Sequence, residues 1–422
     1  MSNPHEGRRA VEAVWRIESA RIVGALARTV NDFSLAEDLA QEAFAEALVT
    51  WPRDGVPDNP AGWLLTVGRR RAVDTFRRRT AGNARYQVLG AELAIQQSAD
   101  ETDADLLLDP DHVEDDLLRL IFIACHPMLS PQSQVALTLR TVGGLTSDEI
   151  ARAFLVPTAT IQARITRAKK TLTAARVPFQ LPEAHERADR LRQVLSVIYL
   201  LFTEGSSAST GEALIRFDLA AEAIRLARIV ARLAPDDSEP AGLLALTELT
   251  AARFGARTTA DGAPILLEDQ DRRRWDVAAI RRGLAALDRA QRVGRGLGPY
   301  GLQAAIAACH ARAASVAETD WTTIVMLYEA LERIAPSPIV TLNRAVALSM
   351  ATGPAAALEL VEALAAEGQL RGSHLLPSVR GELLRRLGRT DAARAAFEEA
   401  YTLCPSPRER ETLATKITLL AT

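Results

Sequence analysis

The sequence is poor in cysteine and contains no long apolar run. Its 422 residues include three cysteines, an odd number without close pairing, which excludes a disulfide framework and predicts reduced thiols. No apolar stretch approaches the roughly 20 residues that cross a bilayer, and the N-terminal sequence lacks the apolar core of a signal peptide. We therefore expect a cytoplasmic protein with no membrane partner.

Aromatic residues are also scarce, at 5%, although apolar residues make up 48% of the chain. The buried cores must therefore be built from Leu, Ala, Val and Ile, a composition that suits alanine-rich helices better than sheets. A chain of this length is expected to form two to four domains. The composition and the helical periodicity together predict an all-α protein.

The net charge of −3 conceals three blocks of charge. Residues 63–85 contain seven arginines and one aspartate, and residues 150–182 contain six basic residues and no acid. Between them, residues 98–118 contain nine acidic residues and no lysine or arginine. Two basic blocks separated by an acidic one favour nucleic-acid binding over a merely solvated surface.

Two consecutive helices are predicted near the N-terminus. In Ser34–Trp51 the apolar residues recur at helical spacing, with Ser34 as the expected N-cap and Glu37 completing a capping box. The second helix begins near Pro60 and contains "WLLTVGRRRAVDTFRRR". Its arginines suit phosphate binding, whereas Trp63 and Phe76 are either core residues or stacking platforms for unpaired bases.

Residues 129–172 predict a helix-turn-helix. Ser130–Thr141 forms one helix, Gly143-Gly144 ends it, Thr146 caps the short helix "SDEIARAF", and Thr158 caps a final basic helix. On that final helix one broad side is polar, while Ile161, Ile165 and Ala168 face the core. Such a helix inserts into the major groove, where Gln and Arg can contact base edges.

The C-terminal part is predicted to be a degenerate helical repeat. Ala393, Phe397, Ala400 and Pro405 have the spacing of the second helix of a tetratricopeptide repeat, and Gly381 fits its first helix. Similar spacings recur at Tyr328, Leu331 and Pro336 and at Ala223, Ala227, Val230 and Pro235. Stacked repeats of this kind bind peptides or partners, or serve only as structure.

Signals for catalysis, metals or cofactors are weak. The glycine-rich "GRGLGPYG" follows no predicted strand, so it indicates a turn between helices, and no Ser-His-Asp or Cys-His arrangement stands out. The two "ACH" triplets have no partners at metal-ligand spacing. The charged "LEDQDRRRWD" (267–276) is either an ion-pair cluster between domains or a functional surface. We expect no enzymatic activity, no metal and no cofactor.

The order of these elements resembles a bacterial RNA polymerase sigma factor of the extracytoplasmic-function class. The motifs that carry the resemblance are "AEDLAQEAFAEAL", "NPAGWLLTVGRRRAVDTFRRR" and "GLTSDEIARAF…TIQARITRAKKTL". Several further stretches, including "YGLQAAIAACHARA" and "SPIVTLNRAVAL", resemble a subgroup with a long tetratricopeptide-like extension. The resemblance implies a sigma-2 domain at 1–82, a flexible acidic linker at 83–116, a sigma-4 domain at 117–178 and the extension at 179–422.

The resemblance also assigns functional residues. Contacts to the clamp helices of the polymerase β′ subunit are expected at Asp38, Gln41, Glu42 and Phe44. Contacts to the −10 promoter element are expected at Trp63, Arg69, Arg70, Arg71, Asp74, Arg77, Arg78 and Arg79. Contacts to the −35 element are expected at Thr158, Thr160, Gln162, Arg164, Thr166, Arg167, Lys169 and Lys170. Arg70 stands where many members carry asparagine, so the preferred −10 bases are left open.

The expected function is therefore that of an alternative sigma factor, which brings core polymerase, including its β subunit, to promoter DNA and assists melting. The extension is expected to modulate this activity or to bind a regulatory protein or peptide, and the sequence leaves open whether it activates or inhibits. Two other classes remain: a stand-alone helix-turn-helix regulator with a repeat-type effector domain, and an enzyme fused to a DNA-binding module.

Overall fold

The computed structural model describes residues 4–79, 110–154, 156–206, 217–259, 265, 267–293 and 296–420. These residues form eighteen α-helices and no β-strand, which confirms the predicted all-α class. The chain divides into two compact units, Met1–Leu201 and Phe202–Thr422. Most of the acidic stretch predicted as a linker, residues 83–109, lies outside the described residues.

The first unit contains the N-terminal helices and the predicted helix-turn-helix. Its helices are α1 (Pro4–Val30), α2 (Phe33–Asp54), α3 (Pro60–Arg79), α4 (Pro110–Ala124), α5 (Pro131–Thr141), α6 (Ser147–Phe154), α7 (Thr158–Ala174) and α8 (Ala184–Ser206), and the division between the units falls within α8.

Helices α1, α2 and α3 pack around a shared apolar core. Ile22, Leu26, Leu39 and Leu64 are almost completely buried there. The N-cap predicted at Ser34 is wrong: the N-cap is Asp32, two residues earlier, and its carboxylate accepts a hydrogen bond from the Leu35 amide at 3.0 Å. Asp and Ser are comparably good caps, and burial of Phe33 places the start of the helix after the aspartate.

Helix α4 begins at Pro110, inside the stretch that the sequence assigned to the linker. Asp116, at the end of the acidic block, is buried, and its carboxylate pairs with Arg119 at 2.7 Å and with Arg28 of α1 at 3.4 Å. The boundary at residue 116 therefore falls within a helix. These two arginines compensate a buried charge that the composition alone marked as solvent-exposed.

The helices α5, α6 and α7 follow the predicted pattern, with one correction at a cap. Ser130 caps α5, and a capping box joins Thr146 and Glu149 at the start of α6. Thr158 does not cap α7, because the N-cap residue is Pro157 and the Thr158 hydroxyl instead donates to Asp148 of α6 at 2.7 Å. The residues expected to face the core, Ile161, Ile165 and Ala168, are buried.

The second unit consists of successive helical hairpins. Its helices are α9 (Phe217–Leu233), α10 (Ser238–Ala251), α11 (Val277–Val293), α12 (Pro299–Arg312), α13 (Trp321–Ile334), α14 (Pro338–Ala351), α15 (Pro354–Ala366), α16 (Leu375–Arg386), α17 (Thr390–Leu403) and α18 (Pro407–Leu419). At the predicted repeat positions of α17, Ala393, Phe397 and Ala400 are fully buried. A Cβ on Gly381 of α16 would lie 2.8 Å from the Phe397 ring, so only glycine allows this approach.

The charged stretch 267–276 lies in the second unit, with Gln270 and Trp275 buried and Arg273 and Arg274 exposed. Arg272 donates to the carbonyl of Ala313, just beyond α12, at 2.7 Å and to that of His310. The buried Trp275 ring lies beneath two guanidinium groups, those of Arg272 at 4.7 Å and Arg253 at 5.3 Å. In place of an ion-pair cluster between domains, the buried side of this stretch makes carbonyl and cation–π contacts within one unit. Its exposed side, which carries the Arg273–Asp271 ion pair at 3.0 Å, is compatible with the alternative prediction of a functional surface.

Candidate nucleic-acid interface

Helix α2 presents an acidic face at the positions where polymerase contacts are predicted. Glu42 and Asp38 are exposed, the latter with 63% of its side chain accessible, and Gln41 is half-buried. Phe44 differs from the prediction, because it is buried and its ring meets the edge of the Trp15 ring at 4.5 Å. We name Asp38, Gln41 and Glu42 the acidic face; Phe44 supports it from below.

Two of the predicted −10 arginines are engaged by a glutamate on the neighbouring helix. Glu46 of α2 accepts hydrogen bonds from Arg70 at 2.7 Å and from Arg71 at 2.9 Å, and Arg71 also lies 3.8 Å from Glu42. Hydrogen bonding from Arg71, with the positive charge of both arginines, lowers the pKa of Glu46. The cationic surface of α3 is thus partly neutralised, which the sequence did not indicate.

The other predicted −10 residues differ in exposure. Arg77 is exposed, and Arg69 and Asp74 are half-buried, whereas the side chains of Arg78 and Arg79 lie outside the described part of the chain. Phe76 is 1% exposed and is therefore a core residue. Trp63 is half-buried, with its ring edge-on to the buried Trp51 at 5.6 Å. Of the two rings on α3, Trp63 is the one that a base can reach.

Replacing Glu46 with glutamine should release Arg70 and Arg71 toward DNA. The dependence of promoter affinity on salt is expected to steepen by about 0.7 to 0.9 in log–log slope for each arginine that gains a phosphate. The measurement is holoenzyme binding to labelled promoter DNA across a salt series. Glu12→Gln, which removes an exposed acid from α1, is the matched control. An unchanged slope would contradict a phosphate role for these arginines.

Helix α7 turns one polar side to solvent. Gln162, Thr166, Arg167 and Lys170 are exposed, and we name these four residues the reading face. Thr158, Thr160 and Arg164 are half-buried beside it. Glutamine can donate to and accept from base edges in the major groove and arginine can donate to them, while Lys170 suits a backbone phosphate. This side of α7 carries no acidic residue.

Lys169 does not join the reading face. Its ammonium pairs with Glu37 of α2 and lies 3.0 Å from the carboxylate of Asp38, with 18% of the lysine side chain exposed. Partial burial lowers the pKa of Lys169 to about 8, which leaves it charged at neutral pH. A residue predicted to bind DNA is therefore paired with one predicted to bind polymerase. Local periodicity gives no signal for contacts between residues more than 130 positions apart.

A second group of contacts joins α1 to the segment between α5 and α6. The Trp15 indole donates to the carbonyl of Gly144 at 2.8 Å, and the Arg140 guanidinium lies 4.9 Å from the Trp15 ring. Arg16 pairs with Glu149 at 2.5 Å. Gly144 has a φ of +68°, a conformation that favours glycine, and a Cβ there would lie 3.1 Å from the Ser19 hydroxyl and 3.4 Å from the backbone of Arg16. The predicted helix break is also a packing contact.

One group of potential metal ligands occurs among the described residues, at a place that the sequence did not single out. The ligand atoms of His374, Cys404 and Glu409 lie within 4.8 Å of one another. The His374 Nε2 atom is 3.0 Å from the Glu409 carboxylate, and the Cys404 thiol donates to that carboxylate at 3.6 Å. Hydrogen bonding and ion pairing within the group account for its geometry.

Comparison with known protein families matches three stretches of the chain. Residues 16–82 match sigma-70 region 2, and residues 119–172 match sigma-70 region 4. Residues 190–291 match a family of unknown function, DUF6596. The acidic face and α3 lie in the first match, and the reading face lies in the second. No helix in the described ranges has both the length and the apolarity to cross a membrane.

Individual relatives cover the chain to different extents. An uncharacterised protein of Rhizobium meliloti (strain 1021) is 47% identical over 389 residues, which is 92% of this chain and 90% of the relative. The ECF RNA polymerase sigma factor SigK of Mycobacterium bovis is 31% identical over 157 residues, 36% of this chain and 78% of SigK. A probable ECF RNA polymerase sigma factor, SigI of Mycobacterium tuberculosis, is 28% identical over 42% of this chain and 59% of SigI.

Proposed function

This chain belongs to the extracytoplasmic-function family of RNA polymerase sigma factors, and we propose which of its surfaces bind polymerase and which bind promoter DNA. Members of this family are initiation factors rather than enzymes, and they bind core RNA polymerase and promoter DNA. The match to sigma-70 region 2 disfavours a stand-alone helix-turn-helix regulator, which needs no such region.

Polymerase docking is assigned to the acidic face of α2. Asp38 and Glu42 present carboxylates on a rigid helix, which suits a basic helical partner such as the clamp helices of the β′ subunit. Phe44 and Trp15 hold that helix in place from the buried side. The observation that carries the assignment is the position of this exposed acidic face within the region 2 match.

Promoter recognition is assigned to two helices. Exposed Arg77, together with Arg70 and Arg71 once they leave Glu46, provides cations along α3 for the −10 strands, and Trp63 offers a ring beside them. The reading face of α7 provides the side chains for the −35 element. Thr158 helps to hold α7 on α6 through Asp148, so its role is in positioning α7 rather than in reading bases.

The extension is proposed to modulate this activity, either directly or by binding a regulatory protein or peptide. The support is that most of it, Phe202–Thr422, forms a separate compact unit, with buried repeat positions along its hairpins. Helical hairpin arrays expose side chains on successive helices at a regular spacing, which suits extended partners. Run-off transcription with a Gly242→Val variant tests whether the extension activates or restrains initiation.

Run-off transcription tests the proposal. Core polymerase with this chain should start at a discrete promoter, and core alone should not. Gln162→Ala should then change the preferred −35 base, with a loss of discrimination of about 1–3 kcal/mol. Lys170→Ala, which removes the exposed cation that suits a backbone phosphate, is the matched control and should weaken binding to all sequences alike. Tight duplex binding without any defined start site would contradict the proposed function.

A further inference from the structure

The acidic face of α2 is partly covered by the C-terminal half of α7. Lys169 pairs with both Glu37 and Asp38, and Arg140 of α5 approaches Glu37 to 3.8 Å. Glu37 is 2% exposed and also accepts a hydrogen bond from Gln41. Two basic side chains from the region 4 match thus lie on or just beneath the surface assigned to polymerase.

The contact extends along α2 beyond the ion pairs. The Thr173 hydroxyl donates to the Ser34 hydroxyl at 2.9 Å, and the Phe179 amide donates to the Asn31 side chain at 3.4 Å. On the other side, Trp15 and Arg16 of α1 bind Gly144 and Glu149. Together these contacts hold α6 against α1 and α7 against α2 within one compact unit.

We propose that this arrangement is a closed form of the free protein, in which α7 competes with polymerase for the acidic face. The inference rests on the proposed function, because it takes Asp38 to be a polymerase contact. Lys169 gives Asp38 the same chemistry that a basic partner would bring, so docking at Asp38 requires α7 to leave it. Polymerase binding and release of Lys169 toward DNA are then one coupled step.

The closed form restrains docking more than base reading. Gln162 and Thr166 remain exposed while Lys169 is paired, so a −35 duplex can still approach the reading face. The free protein should therefore bind core polymerase more weakly than an open form would, while it keeps some affinity for duplex DNA. Any contact that draws α7 away from α2 would act as an activator.

A disulfide across the contact provides the test. Ser34→Cys and Thr173→Cys place two thiols where the native hydroxyl oxygens are 2.9 Å apart. The native thiols interfere little, because burial raises the pKa of Cys125 to about 12 and also raises the pKa values of Cys309 and Cys404. The full-length double variant is oxidised with diamide, and the cross-link is read from its gel mobility.

The oxidised double variant is expected to bind core polymerase at least tenfold more weakly than the reduced form, in an assay without DNA. Dithiothreitol should restore binding, and each single cysteine variant should be unaffected by diamide. Glu37→Gln, which removes the buried charge but keeps the shape, should tighten core binding about threefold or more. Unfolding by circular dichroism checks that both variants are folded.

Three results would overturn the closed form. They are the absence of a cross-link in the free protein, a cross-linked protein that binds core polymerase as tightly as the reduced one, and a folded Glu37→Gln variant whose affinity for core polymerase equals that of the wild type. Failure of the proposed function looks different. In that case the reduced and wild-type proteins start no defined transcript, while cross-link formation still reports whether α7 lies on α2.

Discussion

Replacing Phe76 with alanine is expected to lower the free energy of unfolding of the first unit by about 3–5 kcal/mol, the usual cost of deleting a buried ring. The Phe76 side chain, on α3, is 1% exposed, so its removal leaves a buried cavity rather than an open surface. For a unit of this size the melting temperature should fall by about 6–20 °C. Thermal unfolding followed by circular dichroism provides the measurement.

Trp63→Ala is the matched comparison on the same helix. The Trp63 ring is half-buried, and the contact it loses is the edge-on one with Trp51, so the stability cost should be clearly smaller. Its effect on promoter opening should be larger than its effect on stability, since base stacking on a ring contributes about 1–3 kcal/mol. Permanganate reactivity of unpaired thymines in the promoter measures opening. Wild-type opening in a folded Trp63→Ala variant would remove this ring from the −10 contact.

Replacing Gly242 with valine should disrupt the extension at the contact between α10 and α12. A Cβ at this position would lie 2.7 Å from the Gly301 nitrogen and 2.9 Å from its Cα, closer than real Cβ atoms approach. Because the obstruction is backbone, the helices must separate, at a cost of about 3 kcal/mol, the upper end of ordinary overpacking. Hydrogen exchange of the α10 and α12 amides should speed up accordingly.

Ala251→Val, at the last residue of the same helix, provides the control for added volume, since Ala251 is half-buried and distant in sequence from the close approach. Unchanged exchange in Gly242→Val would contradict the close packing. Run-off transcription with the same variant then distinguishes the two roles of the extension. Lost initiation indicates a required domain, and increased initiation indicates an inhibitor, without removing any part of the chain.

Local sequence patterns predicted the helices well because their causes are local. The break at Gly143-Gly144 and the capping box at Thr146 and Glu149 depend on residues within one or two turns. Apolar spacing likewise identified the buried side of α7. At the start of α2 the same reasoning was wrong, because the capping-box pattern favoured Ser34 whereas Asp32 caps the helix.

The candidate site was less predictable because its important contacts join distant residues. Glu46 reaches arginines 24 and 25 positions away, and Lys169 reaches residues more than 130 positions away. Charge blocks indicate where cations concentrate but not which acids will pair with them. Phe44 shows the same limit, because an aromatic residue on a polar helix looks accessible until its partner, Trp15, is known.

The carbonyl contacts of Arg272 define how the extension can be divided. This arginine binds carbonyls 38 and 41 residues further along the chain, at the end of α12. A chimera joined between these positions would pair one parent's arginine with another parent's helix end and risk unbonded carbonyls in a buried setting. Residues 272–313 should therefore be exchanged between relatives as one piece. Crossovers between related genes should be selected against within this segment.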